Sequence, residues 1–94
     1  QSEEDNYTKQ LISNYYQLLS ELNKYNEAIL FYEESGKNLS SELINTSNKA
    51  FQNGEIDFVQ YILLLDNAKG IEMTYLENLY HYNQTILELN YLMN

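Results

Sequence analysis

Apolar residues return at alternating steps of four and three along most of this chain, and the pattern is interrupted once. The first run is Leu11, Tyr15, Leu18, Leu22, Tyr25, Ile29, Tyr32, Gly36, Leu39, Leu43, Thr46 and Ala50, and ten of its twelve positions are apolar or tyrosine. A sustained period near 3.5 belongs to a coiled-coil-like helix. The exceptions, Gly36 and Thr46, are small and would let a neighbouring helix approach. Ile12, Tyr16, Leu19 and Phe51 widen the stripe, as a helix buried against more than one neighbour requires. The second run is Tyr61, Leu65, Ala68, Glu72, Tyr75, Leu79, Tyr82, Ile86, Leu89 and Met93, with only Glu72 out of character. Leu64, Ile71, Leu76, Tyr80 and Leu87 broaden it.

The interruption lies between Phe51 and Tyr61. Asn53-Gly54 can end a helix, with the glycine left-handed. Asp57 can begin the next, and Gln60 fits the reciprocal half of a capping box. Ser2-Glu3-Glu4-Asp5 resembles a further capping box, its acidic side chains favouring a helix N-terminus. The chain has no proline and three glycines, which favours long helices. The expected fold is all-α, a long antiparallel helical hairpin over residues 1–94. Its helices cover residues 3–52 and 58–93, joined by a turn at 53–57. At 1.5 Å per residue they would be roughly 75 Å and 54 Å long. The first turns of helix one would overhang helix two, leaving Leu11, Ile12, Tyr15 and Tyr16 exposed. Two helices make a thin core, so the hairpin is expected to be completed by oligomerisation and to be a piece of a larger protein.

Composition excludes several classes. Fourteen acidic and five basic side chains give a net charge of -9. Nucleic-acid binding needs a basic face, and anionic membrane surfaces would repel the chain. Without cysteine there are no disulfides or thiolate metal sites. No run approaches the roughly 18 apolar residues of a membrane span.

Chemistry-bearing clusters are few. Glu33-Glu34, Glu55 and Asp57 lack the oxygen-rich loop spacing of a calcium site, so a solvated face is the ordinary reading. His81 is the only histidine and has no ligand partners nearby in sequence. Tyr15, Tyr25, Tyr32, Tyr61, Tyr75 and Tyr82 all lie on the stripes and read as interface residues whose hydroxyls reach the rim. Phe51, Ile56, Phe58 and Val59 gather at the turn, either to plug the hairpin end or to touch a partner. Asn-X-Ser/Thr triplets start at Asn6, Asn38, Asn45 and Asn83, as expected by chance in so asparagine-rich a chain. No cysteine nucleophile, phosphate-cradling glycine loop or serine–histidine spacing points to catalysis. No metal or cofactor is expected.

Two segments carry a family resemblance. They are Ala50 to Tyr61, AFQNGEIDFVQY, and Tyr75 to Gln84, YLENLYHYNQ. Together they resemble the C-terminal helical hairpin of TolC/CusC-type outer-membrane efflux proteins. In that family a helix descends the periplasm and turns at an A-x-x-Y/F-x-x-G-E-I segment. A second helix climbs back with a Y-L-x-x-L-x-x-Y-N segment. Ala50, Phe51, Gly54, Glu55 and Ile56 match the first pattern at slightly tighter spacing; Tyr75, Leu76, Leu79, Tyr82 and Asn83 match the second. The likeness is closest to heavy-metal, Cus/Czc-like members from Bacteroidetes-type bacteria. It covers nearly the whole chain but only about a quarter of a family protein.

The resemblance implies a trimeric α-barrel duct whose periplasmic tips meet a membrane-fusion adaptor and, through it, an inner-membrane pump of the RND type. The cargo would be heavy-metal cations or small toxic compounds. The oligomeric state of the isolated piece stays open, with a dimer that covers the stripes as one alternative. The parent would be an outer-membrane channel or a TolC-like segment fused to a cation efflux pump. Asn53, Gly54, Glu55, Ile56 and Asp57 would form the adaptor-docking tip, with Gly54 left-handed and crowded. TolC itself carries a basic residue just after the tip glycine, where this chain has Glu55 and Asp57. The reading from the residues alone is an antiparallel coiled-coil interaction module with no transport role.

Overall fold

A computed structural model describes residues 2–93. Among them the chain is entirely helical apart from one tight turn. Helix α1 is Ser2–Phe31; a π-helical turn follows at Tyr32–Gly36; α2 is Lys37–Gln52; and α3, Phe58–Met93, runs back along both. The first arm is thus one long helix carrying a single π turn. The all-α hairpin expected from the two stripes is the observed architecture, 74 Å in its longest dimension.

The register of the two arms is set by aromatic stacks and two inter-helical hydrogen bonds. Tyr25 stacks on His81 at 5.3 Å between ring centroids and Tyr32 on Tyr75 at 4.1 Å. Towards the tip, the Ser40 hydroxyl donates to the Ala68 carbonyl at 3.0 Å and the Tyr61 hydroxyl to Asn48 Oδ1 at 2.5 Å. The six stripe tyrosines are all half-buried.

The π turn changes which residues form the seam. It takes up one extra residue, so everything after it is displaced by one position around the helix. Leu39 and Thr46, placed on the stripe by strict alternation, are exposed, while Ser40 and Ser47 are buried in their stead. Gly36 is buried against Ile71 and Tyr32, and a Cβ there would meet the Tyr32 ring at 3.0 Å. The close-approach surface is therefore Gly36, against Ile71, and Ser40, against Ala68, continued towards the tip by the buried Ser47. Ser47 returns its hydroxyl to the Leu43 carbonyl at 2.6 Å, and Thr85 to that of His81 at 2.8 Å. Among the described residues no buried side-chain polar atom lacks a partner.

The seam on α3 also differs from the expected stripe. Glu72 and Met93 are exposed, and Ile71, Asn78, Thr85 and Leu92 take part in the contact. Tyr61, Leu64, Ala68, Ile71, Tyr75, Asn78, Tyr82, Thr85, Leu89 and Leu92 alternate by three and four without a break. The charged exception disappears because the polar Asn78 and Thr85 belong to the seam while Glu72 lies beside it. The overhang differs in part from that expected: Ile12 and Tyr16 are exposed, but Leu11 and Tyr15 are half-buried, Leu11 lies beside Leu92, and Ser2 to Gln10 form the exposed start. Ser2 is already helical, so its capping role falls away; the position before it lies outside the described residues.

The core is thin. Among the described residues only Ile29, 8% exposed, and Ala68, 0%, are buried hydrophobic residues. The accessible surface is 7400 Å² for 11.1 kDa, where a compact monomer of that mass exposes about 5,700 Å². No helix among the described residues is long and apolar enough to cross a membrane.

Candidate docking tip

The apex is built by two complementary caps. At the end of α2 the Glu55 amide donates to the Ala50 carbonyl at 2.9 Å and the Gly54 amide to the Phe51 carbonyl at 3.1 Å. This 6→1 and 5→2 pair is a Schellman motif, and it places Gly54 at φ +73°. At the start of α3 the Gln60 amide donates to Asp57 Oδ1 at 2.8 Å, while Gln60 Oε1 accepts from the Asp57 amide at 2.9 Å. Both halves of the capping box are therefore made. The caps leave little freedom between Gln52 and Phe58, so the tip is rigidly presented.

Asn53, Gly54, Glu55 and Asp57 are exposed and Ile56 is half-buried. The left-handed conformation of Gly54 is as expected, but crowding is not: an added Cβ meets nothing within 4 Å. The aromatic cluster divides into two parts. Phe51 stacks on Tyr61 at 4.6 Å and meets Phe58 edge-on at 6.2 Å, closing the hairpin end. Phe58 and Val59 remain 62% and 65% exposed beside it. The apex therefore presents two carboxylates, Glu55 and the cap Asp57, next to an apolar shoulder.

Elsewhere, among the described residues no group of three or more His, Cys, Asp or Glu side chains is placed to hold a metal ion. His81 is occupied in stacking on Tyr25 and meets Tyr80 edge-on. The four asparagine triplets lie within helices, with exposed asparagines. A groove of about 540 Å³ runs beside the π turn, lined by Ala28, Phe31, Gly36, Gly70, Ile71 and Thr74 among others. Nothing in the sequence reading pointed to it, because it depends on the π turn and on the open surface at Gly70.

No family model matches this chain, and comparison with curated proteins and with solved structures gives no match either.

Proposed function

We propose that this hairpin is a wall element of a TolC-like exit duct in an RND-type tripartite efflux system, exporting heavy-metal cations or small toxic compounds. Its role is structural, not enzymatic. The hairpin stands in the periplasm beside others of its kind, tips at one end, and the Asn53 to Asp57 apex docks on a membrane-fusion adaptor that leads to the inner-membrane pump. The observation that carries this reading is the apex itself. The Gly-Glu-Ile segment, which resembles the turn of efflux hairpins, sits on a doubly capped turn at the far end of two long helices, free to meet a partner. A second feature favours it. Met73, Tyr80 and Leu87 recur every seven residues on α3 and are all exposed, as a helix with another neighbour requires.

The test places Gly54→Leu in the parent protein and reads efflux together with adaptor cross-linking. Both are expected to fall, because leucine resists the left-handed turn and reshapes the apex. Unchanged efflux and cross-linking from a well-expressed variant would reject the tip assignment.

The exposed apolar residues also favour a second reading, an antiparallel coiled-coil module that binds a partner helix outside transport. The parent reading frame separates the two. A duct carries amphipathic strands and an earlier hairpin before Gln1, and a pump fusion carries membrane spans ahead of them. An unrelated neighbouring domain favours the module.

A further inference from the structure

The two broad sides of the hairpin are unlike. One side carries Glu21, Lys24, Glu77 and Glu88. The other, over the half away from the tip, holds Ile12, Tyr16, Leu19, Asn23, Asn26 and Leu30 on α1. Beside them on α3 lie Leu76, Leu79, Asn83, Ile86, Asn90 and Met93. None of the chain's 19 charged side chains, 14 acidic and 5 basic, falls among these twelve positions. Leu30 and Leu76 are 45% and 50% exposed, and Ile12, Tyr16 and Met93 are exposed as well.

We infer that this uncharged side is covered by the same side of a second copy of the chain, tips together, forming a four-helix bundle. A two-fold axis parallel to the helices lays α1 of each copy against α3 of the other. All neighbours are then antiparallel, and every residue keeps its level along the axis. The Tyr25–His81 and Tyr32–Tyr75 stacks fix those levels. Leu30 is level with Leu76, Leu19 with Ile86, Ile12 with Met93, and Asn23 with Asn83. In these four of the six level pairs apolar residues meet apolar residues of the other copy, or asparagine meets asparagine; the other two set Tyr16 against Asn90 and Asn26 against Leu79. A buried asparagine pair fixes register and partner number in coiled coils.

Charge selects a second copy over another partner. The twelve positions are uncharged, so over this patch two copies meet without like charges in contact; Glu33 and Glu72, next along the same side, lie at its edge towards the tip. A basic partner would be drawn to the acidic surfaces instead. The area is sufficient: a patch roughly 30 Å long and two helix diameters wide covers on the order of 600 Å² per copy. The total, about 1,200 Å², reaches the lower bound for stable interfaces. It also removes a substantial part of the surface that the hairpin exposes beyond a compact monomer of its mass. This inference does not rest on the efflux reading.

The test uses the 94-residue chain, which has no cysteine of its own. Light scattering is expected to give twice the 11.1 kDa monomer mass. Leu30→Cys and Leu76→Cys chains, made separately and mixed under oxidation, are expected to form a disulfide-linked dimer. A Gln17→Cys and Glu88→Cys mixture, on the charged side, is expected to stay largely unlinked. A Leu30→Glu, Leu76→Glu double variant alters residues already exposed in the single hairpin. It should keep its helical circular dichroism while its mass falls to that of one chain. A monomeric parent chain overturns the inference. So does a dimer whose Leu30–Leu76 cross-link is no stronger than the charged-side control, or one that survives the double glutamate change.

Discussion

Gly54 and Asp57 are the two residues on which the turn's geometry depends most directly. Gly54 has φ +73° with open space around it, so a side chain there meets conformational strain and no clash. Gly54→Ala and Gly54→Leu are therefore expected to destabilise the hairpin by a similar ~1 kcal/mol, read as a shift in the urea midpoint. A much larger loss for leucine would mean that the tip is packed after all. Asp57 accepts the bond that starts α3. Asp57→Ala is expected to cost about 1 kcal/mol and Asp57→Asn much less, since asparagine caps nearly as well. Both caps were legible in the sequence because their signals are local: Asn-Gly for the stop, Asp-x-x-Gln for the start. The emptiness around Gly54 was not, because it depends on where distant side chains lie.

The consequential departure from the sequence reading belongs to the element between α1 and α2. A strict four-three alternation through Gly36 leads to Leu39, Leu43, Thr46 and Ala50. The π turn at Tyr32–Gly36 moves the contact to Ser40 and Ser47 instead. Periodicity could not locate this, because Leu39 satisfies the pattern better than Ser40 does. The reason lies in the partner: the small Gly36, Ser40 and Ser47 let α3 come close, and at Ala68 Ser40 bonds directly to the backbone. The visible clue was Glu72, a charge in an otherwise apolar run, which marked a seam drawn one position off. Deleting Ser35 removes the extra residue, so an uninterrupted α-helix keeps Ser40 and Ser47 on the seam. That deletion is expected to leave the thermal midpoint unchanged or raised. A collapse in helicity would show that the π turn is required for pairing. Ala68→Leu adds three heavy atoms at a fully buried close contact. A loss of about 1–3 kcal/mol is expected, seen in the same denaturation curves.

At the scale of the whole molecule, length works against uniform stability. The Cα radius of gyration is 20.8 Å, where a compact chain of this size has about 12 Å. Stability therefore varies along the axis. Ser2 to Gln10 are all exposed, whereas the middle holds Ile29, Gly36, Ser40, Ser47 and Ala68. Amide hydrogen exchange is expected to be fast over the first ten residues and slowest around Ile29 to Ser47 and the facing part of α3. Charge acts on the same long body. Fourteen acidic groups against five basic ones make like-charge repulsion the larger electrostatic term, and folding brings those groups nearer together than in the unfolded chain. Screening that repulsion favours the folded state, because the Debye length shrinks from roughly 30 Å to 3 Å between 0.01 M and 1 M salt. The thermal midpoint is expected to rise as sodium chloride is added, at fixed protein concentration so that association does not confuse the reading. A midpoint that falls with salt would mean that attractive ion pairs outweigh the net charge, and that the acidic surfaces are stabilised by the five cations rather than merely solvated.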